Sequence, residues 1–323
     1  ITIRINKSIT TTTTSQMVTT PGIARTYTST YDNTTGTTSL TGGSIPIAYS
    51  LSGNNSSWLS INSSTGSITI SATNPTPGTY YDTLTATDSV SATGTFAFSI
   101  LINPVLSITK NLDIVTTQGR SDTATVTASG GTASNSPVSS LGGRAYIYSF
   151  AAGSDTQTGK ITINSATGVV TAASTLTYGT YYETLTVTDS MSATANIAMT
   201  VTVNRPVTVT GATNVVTTYN IVATMGNETA TYGTLTKADG TYRAWIWSVS
   251  GNNSGVTIDA STGLVTIAAG TGSSTTTTYL TETITATDAL GMQGTQTFQI
   301  RINPLMVFSG TTSMVTTTGR YRD

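Results

Sequence analysis

The tripeptide Val-Thr-Thr begins at Val18, Val115, Val216 and Val315, and an Asn closes an apolar alternation at Asn6, Asn103, Asn204 and Asn303. Both series advance by 97, 101 and 99 residues. Thr-Asp follows the same period in TATDS, TVTDS and TATDA, which place Asp88, Asp189 and Asp288, and so do the large side chains Tyr49, Tyr148 and Trp247. Self-similarity at a fixed period makes each period one structural unit that contacts mainly its neighbours, which restricts the fold more than any local propensity. The spacing predicts three complete units, 7–103, 104–204 and 205–303. Residues 1–6, ITIRIN, match FSILIN at 98–103 and read as the last strand of a preceding unit, while 304–323 read as the start of a further one. The expectation is a stretch of a longer array.

Within a unit the periodicity is that of strands. Phe96, Phe98, Ile100 and Ile102 alternate with mostly polar residues, as do Ile197, Met199, Val201 and Val203, so one face is core and the other is wet. Thr suits the wet face because its β-branched side chain favours an extended backbone, and 77 of the 323 residues are Thr. No segment carries a helical period, and Gly, Ser and Thr clusters punctuate the chain every 8–12 residues, as in an all-β sandwich. The predicted fold is a tandem array of antiparallel β-sandwiches of about seven strands each. Tyr49, Tyr148 and Trp247, two residues beyond Ile47, Tyr146 and Trp245, fall where a middle strand carries a large side chain between the sheets.

SINSSTG, TINSATG and TIDASTG recur at 60–66, 162–168 and 257–263. An apolar residue precedes each and an alternating strand follows, with Gly66, Gly168 and Gly263 placed to supply a positive φ. Asn62, Asn164 and Asp259 suit the same hairpin turn, since their side chains bond the backbone of a turn they start. The other reading is a ligand loop used three times.

Charge excludes several functions. The chain carries 13 Lys+Arg and 14 Asp+Glu, a net charge of −1, and 8% charged residues, where about 25% is usual. So few cations, scattered, cannot neutralise a phosphate backbone, so no nucleic acid is expected. With no Cys there are no disulfides or thiolate metal sites, and with no His the commonest general base and zinc ligand is missing. Paired carboxylates, a nucleophile with its base, and a phosphate-binding Gly loop are likewise missing, so the chain is expected not to be an enzyme. No apolar run reaches the ~20 residues of a membrane helix, so no membrane insertion is expected within this segment.

TIDASTGLVTI, then TETITATD, then an alternating strand ending in INP resembles the cadherin-like and bacterial immunoglobulin-like tandem repeats of large surface proteins. The resemblance covers essentially the whole chain three times and implies Ig-like sandwiches in an extracellular, cell-surface array. Cadherin-type repeats hold calcium between units. Here Asp88, Asp189 and Asp288 are the surviving acidic positions, and calcium at them is the minor reading. Calcium takes six to eight oxygens with several carboxylates, and 14 acids over the chain do not supply that at each junction. The expectation is turn-capping aspartates and no cofactor.

Asp82, Glu183 and Glu282 share strand parity with core residues such as Leu84, Leu185 and Ile284. They are expected near the sandwich edge, accepting backbone N–H bonds or meeting an Arg such as Arg120. The alternative, catalysis of an intramolecular Lys–Asn crosslink, needs one Lys at one place per unit, yet Lys7, Lys110, Lys160 and Lys237 fall at unrelated offsets.

The expected function is a non-catalytic extracellular structural protein forming a stalk, fibre or surface filament that associates with like chains or repeats. The alternative is the spacer of a cell-surface adhesin whose binding domain lies outside this segment. Surface glycans enter twice: as modifications at the acceptor triplets of Asn33, Asn54, Asn62, Asn227 and Asn252, and as ligands of Tyr81 and Tyr182, whose counterpart in the third unit is Thr281.

Overall fold

The computed structural model describes residues 10–12, 16–27, 39–41, 46–53, 57–73, 75–132, 146–154, 157, 159–226, 228–251 and 253–310. Every regular element among them is a β-strand. The expected strand at 1–6, and the Val-Thr-Thr at Val315, lie outside the described residues. The chain divides into two compact units, one of Ile1–Ile114, Ser121–Leu176 and Thr180–Thr202, the other of Val115–Arg120, Thr177–Gly179 and Val203–Asp323.

In the second unit, a four-stranded sheet has the order Asn214–Thr218, Gln293–Asn303, Thr278–Thr287, Ile246–Ser250. A three-stranded sheet of Ala223–Met225, Val265–Ile267 and Val256–Ile258 accompanies it. In the first unit the order recurs as Gln16–Thr19, Thr93–Ile102, Gly78–Thr87, Ala48–Leu51, with Arg25–Tyr27, Ile68–Ile70 and Leu59–Ile61 as the smaller sheet. Residues 104–204 repeat it, the smaller sheet gaining a fourth strand in Ser107–Lys110. These are the tandem sandwiches that the periodicity implies, in the immunoglobulin-like form that the resemblance implies.

One detail differs from an antiparallel reading. Gln16–Thr19 runs parallel to Thr93–Ile102, with Thr19 opposite Ile102, and Asn214–Thr218 runs parallel to Gln293–Asn303, with Thr218 opposite Asn303. The opening strand is split: Ser107–Lys110 pairs antiparallel with Asp122–Ser129, and Ile114–Thr117 belongs to the other sheet. A chain that enters a sandwich at one end and leaves at the other must run its first and last strands in the same direction when they pair. Alternation cannot reveal this, because side-chain parity is the same in parallel and antiparallel strands.

The alternating apolar residues close the cores. Phe96, Phe98, Ile100 and Ile102 are buried with Met17, Leu59, Ile68, Ile70 and Leu84, and Phe298, Ile300 and Ile302 with Trp247, Val265, Ile267 and Ile284. Met199, Val201 and Val203 are buried in the middle repeat, whereas Ile197 is only half-buried. Tyr148 and Trp247 are buried and Tyr49 is half-buried. Their backbone N–H groups donate to the carbonyls of Ser165, Ala260 and Ser63, inside the recurring seven-residue turns. Each turn therefore sits directly over its aromatic residue.

Gly66, Gly168 and Gly263 have φ of 71°, 71° and 75°, the left-handed region that costs a residue with a Cβ. Space adds a second demand. A Cβ at Gly263 would come 2.9 Å from the Trp247 ring, and one at Gly168 would overlap the Val126 carbonyl. Asn62, Asn164 and Asp259 each accept two backbone N–H bonds through Oδ1, from residues two and three further on, at 2.8–3.1 Å. Gly263→Ala is expected to destabilise its sandwich by about 2 kcal/mol, from backbone strain and displacement of the indole. Chemical denaturation followed by Trp fluorescence measures it, and Leu264→Ala, at a partly exposed neighbour, should cost much less.

Candidate functional site

The Val-Thr-Thr, Asn and Thr-Asp motifs converge. In the first unit, the Asn103 N–H donates to the Thr19 carbonyl at 3.0 Å at the end of the parallel strands, which sets Thr20 beside Asn103. Thr20 Oγ1 lies 2.7 Å from Thr132 Oγ1 and donates to Asp189 Oδ2 at 2.8 Å. The Thr132 N–H reaches the same Oδ2 at 2.8 Å, and Asn103 Nδ2 donates to Thr132 Oγ1 at 2.9 Å. A second copy lies wholly within the other unit. There Thr117 Oγ1 meets Thr234 Oγ1 at 2.7 Å and donates to Asp288 Oδ2 at 2.7 Å, the Thr234 N–H donates to Oδ2 at 2.8 Å, and Asn204 Nδ2 donates to Thr234 Oγ1 at 2.9 Å.

Donor arithmetic fixes the direction of each network. A carboxylate only accepts, so the Thr20 hydroxyl gives its proton to Asp189 and its oxygen must accept from Thr132. The Thr132 oxygen in turn accepts from Asn103. The relay runs amide, hydroxyl, hydroxyl, carboxylate, and every hydroxyl donates once and accepts once. The Thr and Asp members of both clasps are buried, where such satisfied networks are stiff and an unmade bond is costly.

The other oxygen of each aspartate works inside its own repeat. Asp189 Oδ1 accepts from the N–H groups of Met191 and Ala193 at 2.9 and 2.8 Å, and Asp288 Oδ1 from Leu290 and Met292, both at 2.9 Å. Asp88 Oδ1 caps the corresponding turn through Val90 and Ala92 at 3.0 and 2.8 Å. Asp189 and Asp288 thus accept four bonds each, which fills a carboxylate's lone-pair positions. All four bonded partners of each are donors, which leaves neither oxygen of Asp189 or Asp288 free for the coordination calcium takes. Among the described residues no three acidic side chains gather at one place.

Thr132 and Thr234 escaped the motif reading. Each follows a glycine with left-handed backbone, Gly131 at φ 65° and Gly233 at 63°, and that turn aims the next N–H at the aspartate. The legible signal is a Gly-Thr pair at Gly36, Gly131 and Gly233; the first copy lies outside the described residues.

The core-side acids are placed as follows. Asp82 is buried and accepts the N–H groups of Gly53 and Thr83 at 2.6 and 2.7 Å. Glu282 is buried against Gly251, where a Cβ would overlap its carboxylate, and burial pushes its pKa up. Glu183 is buried at the equivalent position. Lys110 Nζ pairs with Asp113 Oδ1 at 2.5 Å. Burial raises the Asp113 pKa, but the Lys110 hydrogen bond, the Thr200 N–H and the Lys110 charge together hold it below its ordinary value. At the exposed turn, the Ser261 hydroxyl and the Thr262 and Ser261 N–H groups hold Asp259 low. Tyr81 and Tyr182 are highly exposed, at 76% and 75%, and Thr281 is exposed too. Asn62 stands in an exposed turn, while Asn33, Asn54, Asn227 and Asn252 lie outside the described residues.

Glu228, which no motif indicated, is buried beside Gly211 with its carboxyl near the Ala212 N–H but without a well-formed bond to it. Burial pushes its pKa up, offset in part by that N–H.

No protein-family model matches the chain, and no curated protein matches it. Among solved structures it is similar to a mouse cadherin-23 fragment, EC22–24, at 15% identity, covering 92% of this chain and 99% of that one, with a TM-score of 0.29. It is also similar to Drosophila N-cadherin EC1–4, at 12% identity, 90% and 74% coverage and a TM-score of 0.29. A protocadherin gammaB7 EC3–6 cis-dimer structure matches at 17% identity, 87% and 75% coverage and a TM-score of 0.34. The strand order and register are those of Ig-like sandwiches.

Thr117→Val keeps the shape but strips Asp288 of a donor and the Thr234 hydroxyl of its acceptor, and is expected to cost about 2 kcal/mol. Combined with Asp288→Asn in a double-mutant cycle, the two changes should be non-additive by about 1 kcal/mol. Calcium or a chelator should leave the wild-type melting temperature where it is. For Glu228 the sign is set by its raised folded pKa. The folded state holds this proton more tightly than the unfolded chain, whose Glu titrates near ~4.3, so wild-type stability falls as pH rises from there through the folded value. Glu228→Gln should match wild type below that window and exceed it above, in melts across pH.

Proposed function

We propose that this chain is a non-catalytic structural repeat segment of an extracellular, cell-surface protein, a piece of a stalk, fibre or surface filament. Residues 7–103, 104–204 and 205–303 are its successive repeats, and residues 1–6 and 304–323 belong to the repeats on either side. The single observation that carries this reading is the recurrence of one clasp, with two Thr, an Asn and an Asp in the same roles, at both internal boundaries. Building the same buried network twice serves a protein that must hold each repeat against the next. Mild composition supports an exterior setting: Thr, Ser and Asn dominate the outward strand faces, and glycans on accessible acceptor triplets such as that of Asn62 would add hydration without charge. Like chains are the natural partners of such a surface.

Electron microscopy of native material labelled with an antibody to 104–204 tests the proposal. Label at a regular spacing along fibres or a sheath is the expected result, and concentration-dependent association in sedimentation should accompany it. Label on thin single projections, with a chain that stays monomeric, would instead make the segment the spacer of an adhesin.

A further inference from the structure

The third repeat carries half of a clasp. Thr218 and Asn303 stand directly opposite each other at the end of their parallel strands, and the Tyr219 N–H donates to the Asn303 carbonyl at 3.0 Å. The same bond stands beside Thr117, where the Gln118 N–H donates to the Asn204 carbonyl at 2.9 Å. The preceding residue behaves alike in all three repeats: Thr19, Thr116 and Thr217 each donate Oγ1 to the carbonyl four residues on, at 3.1, 3.2 and 3.4 Å. What differs is the covering. Thr20 and Thr117 are buried and bonded to a Thr and an Asp, whereas Thr218 is only partly buried and Val216, Ile221 and Val222 around it are exposed.

A second observation is independent of these polar groups. The residues after Asn303 stand at the positions of the alternation that opens each repeat. Leu106 and Ile108, and Val207 and Val209, are the buried members of that alternation in the second and third repeats. Met306 and Phe308 occupy the corresponding positions and are 84% and 91% exposed. Two large apolar side chains at core positions of the repeat are thus uncovered among the described residues.

We infer that the face formed by Thr218 and Asn303 is the docking site for a repeat whose first strand is 304–310, and that this repeat presents a left-handed Gly-Thr and a Thr-Asp loop to it. The occupant is specified by chemistry: a buried hydroxyl to accept from Asn303 and donate to Thr218, and a carboxylate to accept from Thr218. The two internal clasps are the template for both. This deepens the proposed array and rests on it.

The test lengthens the whole chain. Arg320 follows Val-Thr-Thr and Gly as Arg120 does, so residues 121–204 are appended after Arg320, giving a fourth repeat with its own copies of Thr132 and Asp189. A second extension appends 205–303 directly after Asn303. Docking predicts that Thr218→Val lowers the melting temperature of either extended chain by the shift Thr117→Val causes, while leaving the 1–323 chain unchanged. The effect should be non-additive with Asp189→Asn in the first graft. Met306 oxidation by peroxide should slow by an order of magnitude or more in the first extension, since Met susceptibility follows exposure. An equal effect of Thr218→Val in short and long chains, or an extended chain with Met306 still reactive and no shift at Thr218, overturns the inference. So does concentration-dependent association of the 1–323 chain that Thr218→Val abolishes, which would make the occupant a second copy. The Thr117–Asp288 cycle and the labelling of native material are read separately, so this face can fail while the array stands.

Discussion

A single carboxylate with its two oxygens assigned to different jobs underlies this architecture. Oδ1 of Asp189 and of Asp288 closes a tight turn within its own sandwich, and Oδ2 grips a threonine of the preceding repeat. The aspartate can point its second oxygen correctly only because the first is pinned by two amides. Local folding of the turn is thereby the condition for the junction, and the junction is as well oriented as the turn. Because the buried carboxylate is met by four donors, the cost of its desolvation is offset by hydrogen bonds the repeats themselves supply.

The remainder of the molecule prepares that meeting. Strand alternation buries Phe298, Ile300 and Ile302 on one side, and the same strand ends at Asn303. Parallel pairing delivers the opening strand to that end, so Val-Thr-Thr and the closing Asn emerge together. A left-handed glycine then turns the partner threonine inward. A chain with 8% charged residues and no cysteine has few other ways of making a specific joint, and hydroxyls, which it has in excess, are what it uses.

Parity, period and turn chemistry were legible because each is local. Two-residue alternation marks the core face without knowledge of the partner strand, and Asn62 or Asp259 ahead of Gly66 or Gly263 describes a turn by itself. The clasp was legible only in fragments. Its parts were visible as periodic motifs, but Thr20 and Asp189 are 169 residues apart and Thr117 and Asp288 are 171 apart, so their meeting belongs to tertiary structure. Thr132 and Thr234 were hidden for another reason: in so threonine-rich a chain a Gly-Thr pair barely stands out. The parallel first strand and the burial of Glu228 leave no periodic trace at all.

The parts of the clasp are divided so that a repeat brings Thr and Asn at one end and Gly-Thr and Asp at the other. A duplicated unit inserted between any two others would find its complement on both sides without a compensating substitution. Units of the proposed array are then interchangeable while every joint keeps its fit, whereas a lesion in one clasp is felt by a single pair of neighbours.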